Sequence, residues 1–119
     1  MDQATRQEIE ILHQQVCTAL ADPTRIMLFF ILAQEPKCVG DLATELGIPQ
    51  PSISRHLKIL RERSLVKATR KGALVYYSLT DMRVLQALEL MRGVLRDRVL
   101  KQARLVRDGE TEELVHSVP

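Results

Sequence analysis

The sequence predicts a mainly α-helical domain with a small β-hairpin, arranged as a winged helix-turn-helix that dimerises through its first and last helices. Three observations predict it. A short helix stopped by Gly47 is followed within a few residues by a second helix, the spacing of a helix-turn-helix. Two β-prone segments with Gly72 between them come directly after, as a wing would. The stretch from Gln50 to Lys71 holds seven basic residues (Arg55, Lys58, Arg61, Arg63, Lys67, Arg70, Lys71) against one acid, Glu62, in a chain whose remainder is net acidic. A localised basic block of this kind marks a polyanion-binding surface.

The elements follow in order. A first helix is expected from Ala4 to Ala21, because Ile9, Leu12, Val16 and Leu20 recur at spacings of three and four and share one face. Asp22-Pro23 reads as an N-cap followed by proline at the first helical position. The second helix runs to about Gln34; its Ile26–Leu32 run is apolar nearly all round and should be the buried centre. A short third helix, Val39 to Leu46, ends at Gly47, which can take the left-handed conformation. The fourth starts near Gln50 or Pro51 and runs to about Ser64, with Ile53, Leu57 and Leu60 as its inner stripe and Ala43 as the small residue where the two helices cross. Leu65–Thr69 and Leu74–Leu79 flank the hairpin connection Arg70-Lys71-Gly72-Ala73. Thr80 is expected to cap a long last helix from Asp81, whose Val84, Leu88, Met91, Leu95, Val99 and Ala103 recur every three or four residues, with Leu85 and Val94 widening the stripe. A helix so long and so apolar on one side calls for a partner, and a homodimer supplies it.

The 119 residues suit one domain, expected to span 1–108, with a flexible acidic tail over 109–119. No stretch reaches the roughly 18 apolar residues of a membrane span, and Met1 to Glu10 is too polar for a signal peptide, so a cytoplasmic protein is expected. Two cysteines are too few for a disulfide scaffold. No Gly-rich phosphate loop, nucleophile elbow or paired-carboxylate motif is present, which argues against an enzyme.

On the fourth helix, burial of Ile53, Leu57 and Leu60 turns Ser52, Arg55 and Lys58 outward, flanked by Ser54 and His56. A recognition helix presents its N-terminal residues to base edges in the major groove. Gln50, Ser52 and Ser54 can donate and accept there, and Arg55 can take a guanine bidentately. Lys58, Arg61 and Arg63 suit phosphates, which position without reading sequence. Arg70 and Lys71 at the wing tip would reach a backbone or minor groove. His56 has no second ligand within helical reach, so groove contact is its expected role. The expected partner is double-stranded DNA. Winged helices also serve as protein-interaction or architectural DNA-binding modules without an inducer. The basic block disfavours the first of these; only an assay separates the second.

Four motifs, Ala19-Leu-Ala-Asp-Pro-Thr-Arg25, Cys38-Val-Gly-Asp-Leu-Ala43, Ser52-Ile-Ser-Arg-His-Leu-Lys-Ile-Leu-Arg61 and Tyr76-Tyr-Ser-Leu79, give the chain from about Val16 to Met82 a resemblance to the ArsR/SmtB family of winged-helix repressors. The resemblance implies a homodimer that represses an adjacent operon from an operator with two-fold symmetry, and an inducer, often a metal ion, that weakens DNA binding. The family's last-helix zinc pattern begins Asp-x-His; here Asp81-Met82-Arg83 has the Asp, and no His lies between Asp81 and Val115. The arsenic-sensing Cys-Val-Cys pattern is Cys38-Val39-Gly40 in this chain. Cys38 with Asp41 resembles the half-site of members that hold a metal near the third helix. His13 and Cys17, four apart on one helical face, are a candidate second half. Together these four would suit a thiophilic ion such as zinc, cadmium, lead or arsenite. Cys17 and Cys38 are equally candidates for thiol redox sensing, which requires disulfide reach or an exposed thiolate. Each has a plainer reading too: Cys17 and His13 as part of the packed stripe, Cys38 at a capping position, and Asp41 favourable to the helix dipole.

Overall fold

A computed structural model describes residues 1–107; the acidic tail expected over 109–119 lies outside the described residues. The order of elements is α1 (Gln3–Leu12), α2 (Pro23–Leu32), β1 (Lys37–Cys38), α3 (Val39–Leu46), α4 (Gln50–Glu62), β2 (Val66–Lys71), β3 (Leu74–Leu79) and α5 (Met82–Arg107). The chain divides into two compact units, 1–82 and from Arg83 onward. Among the described residues no helix is long and apolar enough to cross a membrane.

The first unit is a winged helix-turn-helix. Asp22 caps α2 as expected: its carboxylate accepts the Thr24 amide at 2.8 Å, and Pro23 follows at the first helical position. That amide holds the Asp22 carboxyl below its ordinary value. The core gathers Leu28, Phe29, Ile31 and Leu32 of α2 with Leu42 and Ala43 of α3 and Ile53, Leu57 and Leu60 of α4. The apolar run of α2 is thus the buried centre, although Met27 at its edge is 47% exposed.

Both helices of the motif end in left-handed residues. Gly47 (φ 66°) follows α3, and the Ile48 amide donates back to the Ala43 carbonyl at 3.1 Å. At the end of α4 the same turn is made by Ser64 (φ 60°), with the Leu65 amide on the Leu60 carbonyl at 2.9 Å. Both are Schellman closures, which satisfy the last carbonyls of a helix. The second uses no glycine.

Three features differ from expectation. The first helix is α-helical only to Leu12; His13–Cys17 is wound as a π-helix, and Thr18 donates its amide to the His13 carbonyl at 3.0 Å, five residues back. The sheet has three strands in the order β1-β3-β2, all antiparallel, since Lys37 and Cys38 pair with Tyr77 and Tyr76. The last helix begins at Met82, one residue later than expected, and Thr80 serves the preceding corner. Its hydroxyl donates to the Ser64 carbonyl at 2.7 Å and its amide to the Leu65 carbonyl at 3.2 Å, which fastens the end of β3 to the corner leaving α4. That corner's carbonyls need donors, and they claim the threonine first.

In the second unit, α5 extends over 26 residues. Leu85 and Leu88 are buried, whereas Leu90, Met91, Val94, Leu95, Val99 and Leu100 are exposed. A groove runs along this helix at Gly93, walled by Leu90 and Val94 and rimmed by Glu89, Arg96 and Asp97.

Candidate nucleic-acid interface

Helix α4 puts its buried and exposed residues on opposite sides. Ile53, Leu57 and Leu60 are at most 1% exposed, which fixes the rotation of the helix about its axis. Gln50, Ser54, Arg55, Lys58 and Arg61 then face outward, with Ser52 half-buried at the edge. Arg55 lies back along its own helix, its Nη2 donating to Ser52 Oγ at 3.0 Å. This holds the guanidinium toward the N-terminal turns, where a recognition helix meets base edges. Gln50, at the start of α4, sits beside the start of α3, its Nε2 3.7 Å from where a Cβ on Gly40 would stand.

The wing is tighter than the expected four-residue connection. The register Lys71↔Leu74 leaves only Gly72 and Ala73 as the loop, and Arg70 and Lys71 belong to β2. Gly72 has φ 64° at the first loop position, where a type II′ hairpin turn takes glycine. Arg70 and Lys71 are exposed, and Arg70 reaches the Gly72 carbonyl at 3.4 Å.

Two residues of the expected interface point into the protein. His56 is half-buried, and its Nδ1 lies 3.1 Å from Arg25 Nη1. A guanidinium can only donate, so Nδ1 accepts and the ring proton sits on Nε2. Arg63, expected against phosphate, instead donates to the Gln14 carbonyl and to Thr18 Oγ1 (2.8 Å). The role of Arg25 went unread in the sequence. The available signal was a cation at the start of an otherwise apolar, buried helix, which must find acceptors nearby.

The candidate metal and redox residues are not gathered within one protomer. Among the described residues no group of three or more His, Cys, Asp or Glu could hold a metal ion. His13 and Cys17 are exposed on the π-helical turn, and Asp41 is exposed in the first turn of α3. Cys38 is buried at the N-cap of α3, where its side chain makes no capping bond. Both thiols are free. The expected packing of His13 and Cys17 is thus not seen within the chain, and Cys38 stands at the expected capping position without making a cap. Cys38 also lines a groove of about 420 Å3 with Gly40, Gln50, Leu74, Val75 and Tyr77, between the start of α3 and the wing.

The family model for "bacterial regulatory protein, arsR family" matches residues 22–68, the segment from the cap of α2 into β2. The transcriptional repressor SdpR of Bacillus subtilis is 41% identical over 64 residues, which cover 54% of this chain and 71% of that protein. The chain belongs to the ArsR family. Another relative, the transcriptional repressor SmtB homolog of Synechocystis sp., is 46% identical over 68 residues, 57% of this chain; the match spans about half (52%) of that relative's length. Among solved structures, the homodimeric winged helix-turn-helix DNA-binding domain of the Mycobacterium bovis protein Mb0332 superposes with a TM-score of 0.71 at 25% identity, covering 83% of this chain and 91% of that one. The chain therefore carries the winged helix-turn-helix DNA-binding domain of a family of bacterial regulatory proteins.

Proposed function

We propose that the protein is a homodimeric repressor that occupies an operator of two-fold symmetry and leaves it when an inducer acts on its thiols. The observation that carries the reading is the outward face of α4: Ser54, Arg55 and Lys58 stand opposite a fully buried stripe, in a family of transcriptional regulators. On DNA, α4 lies in the major groove with Gln50, Ser52, Ser54 and Arg55 near base edges and Lys58 on phosphate, while His56 stays on Arg25 on the inner side of the helix. Arg70 and Lys71 reach the backbone beside it. Dimerisation is supported by two unpartnered faces. No residue of α1 is buried, with Ile9, Ile11 and Leu12 about half exposed, and beyond Leu88 the apolar residues Met91, Leu95 and Val99 of α5 are exposed. The homodimeric M. bovis domain has the same fold.

The test is binding to a duplex that the protein itself enriches from a random-sequence library, followed across salt concentrations. Affinity should fall steeply as salt rises, because each phosphate neutralised releases a counterion. Lys71→Ala should weaken enriched and random duplexes alike and reduce the logarithmic salt slope by about one. Weak, salt-insensitive binding would sink the repressor reading.

For the inducer, the proposal is a thiophilic metal ion (zinc, cadmium, lead or arsenite) or a thiol oxidant acting at Cys38 and Cys17. A cluster assembled between the two protomers is compatible with the dispersal of ligands within one. Titrating reduced protein with cadmium(II) should give a sulfur-to-metal charge-transfer band saturating at one ion per protomer and lost in Cys17→Ser and Cys38→Ser. No band, or one indifferent to both substitutions, rules out the metal and leaves oxidation.

A further inference from the structure

We infer that Arg63 and Arg25 are positioning residues for DNA reading, which bolt the recognition helix to the π-wound end of the first helix. Hydrogen-bond accounting shows how. In a regular α-helix the Gln14 carbonyl would accept the Thr18 amide. That amide goes instead to His13, so the Gln14 carbonyl is released from the helical ladder. It is taken by the Arg63 guanidinium, 49 residues later in the chain, and by the Thr18 hydroxyl at 2.7 Å. Arg63 also donates to that hydroxyl. Two further carbonyls at this corner are claimed by Arg25, whose Nε donates to Ala19 and whose Nη2 lies 3.5 Å from the Thr18 carbonyl. Its remaining nitrogen, Nη1, holds His56.

The recognition helix is thereby gripped at two points on one side. His56 and Arg63 are seven residues apart, two turns, so both face the α1–α2 corner while Arg55 and Lys58 face out. Three attachments, Arg63 to the Gln14 carbonyl, Arg63 to the Thr18 hydroxyl and Arg25 to His56, leave α4 little freedom to slide or roll against the corner between α1 and α2. Arg63, although part of the basic block, spends its charge on the protein. The inference rests on the proposed function, since it concerns how α4 is held for an operator.

The test uses the full-length protein with two duplexes, the one enriched from a random library by the wild type and a random 30-mer. Thr18→Val removes the hydroxyl shared by Gln14 and Arg63 without touching the outward face or the net charge. It should weaken the enriched duplex by about tenfold, the worth of one charge-assisted hydrogen bond, and leave the random duplex and the salt slope unchanged. Thr18→Ser, which keeps the hydroxyl, should restore wild-type binding. Arg63→Gln should behave like Thr18→Val. If Arg63→Gln instead weakens both duplexes alike and lowers the salt slope by about one, Arg63 is a phosphate contact and the inference is overturned. An unchanged ratio of the two affinities in Thr18→Val overturns it as well. Should Thr18→Val fail to fold, hydrogen exchange at the Thr18 amide decides in the wild type: it should slow on binding the enriched duplex, and no change counts against the bolt. A wild type that prefers no duplex removes the function itself, a failure distinguishable from that of the bolt.

Discussion

Phe29→Ala is expected to lower the free energy of unfolding by about 3–5 kcal/mol, the usual cost of removing a buried phenyl ring. Phe29 is fully buried at the centre of α2, among the leucines of α2, α3 and α4 that form one core. Aromatic side chains are few, two Phe and two Tyr in the chain, and of these Phe29 alone is in the deep core. No second ring stands ready to refill the space, so the loss combines transfer energy with a cavity term. Domains of this size are stable by about 5–15 kcal/mol, and the substitution therefore consumes a large share. Urea unfolding followed by circular dichroism measures it. A change below about 1 kcal/mol, the range of a surface substitution, would mean that α2 is not the centre of the fold.

Arg55→Ala should have the largest effect on recognition, about 1–3 kcal/mol on the enriched duplex, with relaxed preference at the base pair it reads. The residue is exposed and held toward the N-terminal turns of α4 by Ser52, so its guanidinium is partly pre-ordered for a bidentate contact. Competition between duplexes differing at single base pairs would locate the position that loses discrimination. If every duplex weakened equally and the salt slope fell by about one, Arg55 would be a phosphate contact and base reading would rest on Gln50, Ser52 and Ser54.

Much of this architecture is legible in the chain because it rests on local chemistry. Asp22-Pro23, Gly47 and Gly72 each mark a place where backbone geometry restricts the residue, and the spacing of Ile53, Leu57 and Leu60 fixes the outward face of α4. What stayed hidden depends on partners far away in sequence. The π-helical turn is stabilised by Arg63, and nothing within His13–Cys17 announces it. Strand β1 is two residues long, too short for any alternation to show, and exists because β3 has a free edge. Thr80 has the composition of a cap, and nothing near it in sequence shows that its hydroxyl proton goes to the carbonyl of Ser64 sixteen residues away. Ser64 itself adopts a conformation usually left to glycine or asparagine. The position of His56 on α4 suggests a groove contact, and only the fold reveals that Arg25 occupies its Nδ1.

The pairing of β1 with β3 makes the wing a lever whose fulcrum is the joint between Cys38 and Tyr76. Gly72 lies four residues along from Tyr76, a lever arm of roughly 13 Å at the rise of an extended strand. A tilt of about 10° at the fulcrum would swing the tip by roughly 2 Å, several times the whole span over which a hydrogen bond to a phosphate holds its strength. Small rotations at the mouth of α3 would therefore be magnified at Arg70 and Lys71, and the two-residue strand β1 is one of the joints whose stiffness sets the position of the wing tip.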